Sequence, residues 1–167
     1  MGNLQNINPA QLAMIRKMKN PFFLFFFLLF KLPAACIAGL KIKSLNNKTC
    51  EITIPFKFTN KNPFKSIYFA IQSMGAEFST AALAVIAMSK YKNSVAYIVV
   101  NLNAEFIKKA TSKVTFTCDD GHLFEQGLKK CIEERQPVEI TAKTTGRLDD
   151  GTTVSVFNFT WSFKARD

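Results

Sequence analysis

The sequence predicts an α+β fold in which one long central helix is wrapped by a curved antiparallel sheet, with extra helices at the N-terminus. Three observations carry this. Residues 66–89, SIYFAIQSMGAEFSTAALAVIAMS, repeat apolar side chains at helical spacing. Segments before and after it alternate with period two between turn signals. The strands outnumber the helices and come mostly in hairpins, which favours an antiparallel sheet with a helix on one face.

The elements follow in order. Asn8-Pro9 reads as an N-cap with proline at the first helical position, and Asn20-Pro21 repeats the signal. A basic helix with Leu12, Ile15 and Met18 between Arg16, Lys17 and Lys19 is followed by PFFLFFFLLF, residues 21–30. That run is too short to span a bilayer as a helix, for which about 20 residues are needed. Basic residues, an apolar run and Ala34-Ala35-Cys36 also have the outline of a secretory or lipoprotein signal. Lys31 and Pro33 argue against it, so the expected arrangement is a pair of helices packing aromatics over the core or over a ligand entrance. The expected division is a helical extension over residues 1–38 and a main domain over 39–167, with a cytoplasmic location.

Residues 40–44 and 50–58 alternate around Asn46-Asn47 and predict a hairpin. A polar loop, TNKNPFK, delivers the chain to the long helix, which Ser66 is placed to cap. On that helix Ile71, Met74, Phe78, Ala81, Val85 and Met88 form an apolar face. Ala70, Ser73, Ala76, Thr80, Ala84 and Ala87 form a face of small residues that another element can approach closely, and Gly75 adds to it. Tyr91 to Asn93 is a polar stop. Residues 94–102 are apolar on both sides and read as a central strand. Residues 104–113 form a basic connection, 114–118 a strand and 121–135 a helix ended by Pro137. Two last strands flank the turn signal Asp149-Asp150-Gly151.

At 167 residues and 48% hydrophobic, the chain is long enough for one domain with a real core and is not a disordered segment. Seventeen phenylalanines imply an aromatic interior or an apolar ligand channel. The net charge of +10 points to anionic partners: phosphates, nucleic acid or acidic membrane. The basic residues are dispersed and no stacking motif appears, so nucleic acid is not expected. His122 is the single histidine and follows a turn signal, so neither a histidine-dependent triad nor a multi-histidine metal site is expected. The four cysteines are scattered, Cys50 and Cys118 at inward strand positions, so buried thiols rather than a zinc site are expected.

One charge, Glu77, sits among the small residues of the long helix. A carboxylate there is costly to bury unpaired. It is either half exposed at the edge of a groove or put to use.

Three local segments resemble the hotdog-fold thioesterase superfamily, most nearly the branch related to phenylacetyl-CoA thioesterases. They are IYFAIQSMGAE (67–77), TNKNP (59–63) and EFIKKATSK (105–113), and the similarity covers roughly residues 40–164. Glu77 falls at the family's acid position, and Tyr68, Phe69 and Ala70 fall where it has His-Gly-Gly, a signature absent here. The resemblance implies an acyl-CoA thioesterase acting at a dimer-interface site, as a homodimer or dimer of dimers. No cofactor is implied beyond coenzyme A as part of the substrate, and no metal. Glu77 would be general base or nucleophile. The backbone N–H groups of Phe69 and Ala70 would hold the oxyanion at the positive end of the helix. Tyr68 would line the substrate site, Thr80 hold the water and Asn62 orient the substrate. Lys108, Lys109 and Lys113 would attract the CoA phosphates, or else form a solvated basic loop. Two rivals remain: a non-catalytic binder of acyl-CoA or acyl carriers on the same fold, and, less favoured, a membrane-surface protein using its basic aromatic N-terminus.

Overall fold

Both Asn-Pro pairs start helices. In α1 (Pro9–Lys19) the Asn8 Oδ1 accepts the Ala10 N–H at 2.9 Å. In α2 (Pro21–Lys31) the Asn20 Oδ1 accepts those of Phe22 and Phe23 at 3.0 and 3.1 Å. The prolines occupy the first position, where no N–H is needed. A third, unexpected helix, α3 (Pro33–Ala38), ends at Gly39, whose φ of 74° suits a left-handed cap. The computed structural model describes residues 7–91 and 95–166.

The hairpin of β1 (Lys41–Leu45) and β2 (Cys50–Ile54) carries a bulge between Ile42 and Ser44. Asn46 ties its turn by accepting the N–H groups of Lys48 and Thr49. The second strand was expected to reach Phe58 but stops at Ile54. Pro55 has no N–H to give a ladder, and Phe58 opens a 3₁₀ turn, 91% exposed.

The long helix is α4 (Phe69–Met88). Ser66 does not cap it; its Oγ bonds Asn62 Oδ1 at 3.2 Å, and Tyr68 takes the cap position without a side-chain bond. The small face is approached closely, as expected, and the apolar face is the less enclosed of the two. The sheet packs on Gln72, Gly75, Ala76, Ser79, Leu83 and Ile86, while Ile71, Met74, Ala81, Val85 and Met88 are only half-buried. Close approach selects the small side: a Cβ on Gly75 would lie 2.8 Å from Ile54 Cγ1 and 2.9 Å from Phe116 Cδ2. Gly75→Ala is therefore expected to destabilise the fold. Overpacking costs about 1 to 3 kcal/mol, which outweighs the roughly 1 kcal/mol gained in helix propensity. The midpoint of urea unfolding, compared with the parent's, checks this.

The remaining elements are β3 (Val95–Phe106), β4 (Val114–Cys118), α5 (Gly121–Glu134), β5 (Val138–Arg147) and β6 (Thr153–Ala165). The expected stop at Asn93 and strand start at Ser94 lie outside the described residues. The six strands form one antiparallel sheet in the order β1-β2-β4-β5-β6-β3. Its inward face sets Phe116, Phe157, Phe159, Trp161 and Phe163 against the helices, where Phe124 of α5 meets Phe163 edge-on at 6.0 Å. Asp150 accepts the Thr152 N–H at 2.8 Å in the last hairpin, and Gly151 has a φ of 85°.

Residues 94–102 were read as a central strand, and this is corrected: β3 is an edge. Tyr97, Ile98, Val100, Leu102 and Phe106 are each 44–65% exposed. The strand also runs further than expected, taking in Ala104 to Phe106 of the supposed connection. Cys50 and Cys118 face each other across β2 and β4 as buried free thiols. Burial pushes Cys118 up to about 12, so neither is a poised nucleophile.

Candidate functional site

Six of the predicted residues line two cavities that share no lining residue, while Ala70, Thr80 and Lys113 line neither. The first, about 750 Å³, lies at the start of α4. It gathers Asn62, Tyr68, Phe69, Lys108 and Lys109 with Lys61, Gln72, Phe106 and Ile107. Backbone ties build it. The Tyr68 N–H donates to Asn60 O and the Ile67 N–H to Ala110 O, each at 2.8 Å, so the loop entering the helix is stitched to the loop leaving β3. Buried Asn60 holds that loop to the end of α3 and to the residue after β2, its Nδ2 donating to Ala38 O and Pro55 O at 2.8 Å. Gln72 Nε2 donates to Ile67 O, and its Oε1 accepts from Ser155 Oγ at 2.9 Å.

Two backbone donors lie at this helix start, of which Phe69 lines the cavity and Ala70 follows it without lining it. Ile71 and Gln72 spend their N–H groups on Tyr68 O. Those of Phe69 and Ala70 have no acceptor among the described residues. They are the orphan donors of a helix start, at the positive end of its dipole. Three lysines, 61, 108 and 109, line the same cavity and no acid does. It can thus receive an anion, and the N–H pair can stabilise negative charge on a carbonyl oxygen. The Phe69 ring packs edge-on against Tyr68 and Phe106, at centroid distances of 4.7 and 6.3 Å.

The second cavity, about 510 Å³, contains Glu77. Its walls are apolar: Phe78, Ala81 and Val85 from α4, Tyr97 and Trp161 from the sheet, and Met14, Met18, Phe23 and Phe27 from α1 and α2. Lys17 and Lys31 lie at its border. The Glu77 carboxylate has no hydrogen bond or ion pair among the described residues. Glu77 is itself an exposed residue on the open side of the cavity, and the apolar walls behind it withdraw part of its water and raise its pKa above that of a free carboxylate. Such a group is a better proton acceptor near neutral pH than a free carboxylate.

Three expectations change. Thr80 is fully buried; its Oγ1 donates to Glu77 O at 2.9 Å and accepts from Trp161 Nε1 at 3.1 Å, leaving it no means to hold a water beside the carboxylate. Asn62 spends its Oδ1 on the N–H groups of Phe64 and Ser66 and the Ser66 hydroxyl, so it shapes the loop rather than presenting that oxygen to a ligand. Lys113 pairs with Asp149 at 3.0 Å and does not line the cavity with Lys108 and Lys109.

Sequence reasoning missed Lys61, Gln72 and the aromatic walls around Glu77. The inward alternation of β6 marked Trp161 as a core residue, but nothing local tied it or α2 to Glu77.

The family described as a domain of unknown function (DUF4442) matches residues 23–163. No curated protein matches the chain. Among solved structures, a Pseudomonas aeruginosa protein described as of unknown function and a probable thioesterase is 18% identical. The alignment covers 90% of this chain and 99% of that one, with a TM-score of 0.73. A thioesterase from Haemophilus influenzae is 15% identical over 84% of this chain and 88% of its own, with a TM-score of 0.61. The PaaI protein of the Escherichia coli phenylacetic acid degradation operon is 13% identical over 85% and 89%, with a TM-score of 0.59. At these identities the likeness is one of fold: the hotdog fold, as the three sequence segments implied.

Proposed function

The chain belongs to the DUF4442 family, and on that premise we propose that it is a thioesterase hydrolysing an acyl-CoA or related thioester at a site shared by two subunits. The observation that carries this reading is Glu77, a carboxylate without a partner among the described residues, raised in pKa and set in an apolar cavity. The unpaired N–H groups of Phe69 and Ala70 supply the complementary donors. The thioesterase names of the fold relatives agree with it.

The step balances simply. Glu77 takes a proton from water as the water oxygen bonds the carbonyl carbon. The N–H groups of Phe69 and Ala70 hold the oxyanion. The carbon–sulfur bond then breaks, and Glu77 returns the proton to the leaving thiolate. Lys61, Lys108 and Lys109 attract the CoA phosphates as point charges.

Within one chain these parts lie apart. Phe69 and Glu77 are eight residues apart, about 12 Å along the axis, and line separate cavities. A two-fold partner reconciles them. The outer side of β3 has no strand partner among the described residues, and Ile98 and Val100 are exposed on it, the form of edge that pairs with another strand. Pairing β3 with its copy runs the helices side by side and brings one protomer's helix start toward the other's Glu77.

Hydrolysis of short, aromatic and long acyl-CoAs, followed by thiol release, tests the activity. A second reading, binding without turnover, is favoured by Phe69, which puts bulk where the thioesterase superfamily that the segment resembles has glycine. Acyl-CoA that binds but is never consumed would decide for it.

A further inference from the structure

We propose that α2 docks the protein on an anionic phospholipid bilayer. The helix is apolar all round, and its two sides have different fates. Phe23, Leu24 and Phe27 turn toward the Glu77 cavity, and Leu28 is buried. Phe22, Phe25, Phe26, Leu29 and Phe30 recur at helical spacing on the outer side, where they are 77%, 52%, 53%, 40% and 74% exposed. A contiguous aromatic face of this kind on a folded protein marks an interaction surface. Phe26 stacks on Phe30 at 6.3 Å and meets Phe25 edge-on at 5.4 Å, and more than half of each of these three residues stays open to solvent.

Charge selects the occupant. The first fifty residues carry Arg16, Lys17, Lys19, Lys31, Lys41, Lys43 and Lys48 and no aspartate or glutamate. Arg16, Lys17, Lys19 and Lys31 are all exposed on α1 and α2; Lys17 and Lys31 border the Glu77 cavity, with Lys17 Nζ 4.7 Å from the Phe23 ring. A second copy seated there by two-fold symmetry would set lysine against lysine. An anionic headgroup layer instead gives each cation a partner while the rings enter the acyl boundary. Eleven residues span about 16 Å as a helix, roughly half a hydrocarbon core, so α2 lies along the surface and does not cross it. The proposal is independent of Glu77 chemistry, since binding is read without substrate.

The test is flotation of the full chain with vesicles of phosphatidylcholine alone or mixed with phosphatidylglycerol. The parent is expected to float with the mixed vesicles, less with phosphatidylcholine alone, and less as salt rises. The triple variant Phe22→Ser, Phe26→Ser, Phe30→Ser should lose binding by about tenfold or more with an unchanged circular dichroism spectrum. A parent that stays unbound to mixed vesicles at low salt overturns the proposal. So does equal flotation with phosphatidylcholine alone, or a triple variant that floats like the parent. A parent that does not float but loses a subunit contact in the triple variant, by sedimentation velocity, would give the face to a second copy and overturn it too.

Discussion

Replacing Glu77 by Gln is expected to cut thioester turnover by about 10²- to 10⁴-fold, the range for loss of a general base, while the protein stays folded. The two side chains are nearly isosteric, and Glu77 makes no hydrogen bond or ion pair among the described residues that the change would break. The pH behaviour follows from the direction of its pKa. Burial raises it, so the base form appears only above the ordinary carboxylate range. The rate in kcat/KM should rise with pH through the raised value, and that limb should vanish in the variant. Stability runs the opposite way. A raised folded-state pKa means the fold favours the neutral acid, so stability declines as pH rises through that value. Glu77→Gln should remove this decline and leave the protein at least as stable as the parent at neutral pH. Thiol-release kinetics and urea unfolding, each across pH, check both limbs. A variant as active as the parent would remove Glu77 from the mechanism.

Phe69→Pro is the second large effect. Phe69 is the first residue of α4, where proline is favoured and its missing N–H costs the helix no bond. Tyr68 already sits at φ −59°, ψ 139°, the conformation a residue before proline prefers. The change therefore deletes one proposed oxyanion donor and leaves the helix standing. Loss of a donor of this kind costs about 10²- to 10³-fold in kcat. Phe69→Ala removes the ring but keeps the N–H, and should retain most of kcat. Equal losses in the two variants would assign the effect to the side chain and not to the backbone donor.

Much of the scaffold was legible because its causes are local. Asn8-Pro9 and Asn20-Pro21 start helices by capping chemistry alone. The two hairpins follow from alternation and from Asn46 and Asp150. Glu77 was conspicuous as the one charge on an otherwise uncharged helix. What was misread depends on distant partners. An edge strand with apolar residues on both sides is indistinguishable in one chain from a central strand. Gly75 and the small face of α4 pointed to close packing, but that Ile54 and Phe116 supply it and leave the apolar face half-buried is not encoded in hydropathy. Thr80 and Lys113 were committed to Trp161 and Asp149, neighbours far away in sequence. The cavity around Glu77 draws walls from α1, α2, β3 and β6, and no spacing rule joins those segments.

Whether one site is assembled from two chains can be read directly by mixing the two inactive variants. Glu77→Gln retains the donors and Phe69→Pro retains the carboxylate. After co-refolding, half the dimers formed at random are mixed, and each has one intact site of two. The expected activity is therefore about a quarter of the parent's, by two-fold symmetry. A mixture no more active than either variant alone would contradict the shared site.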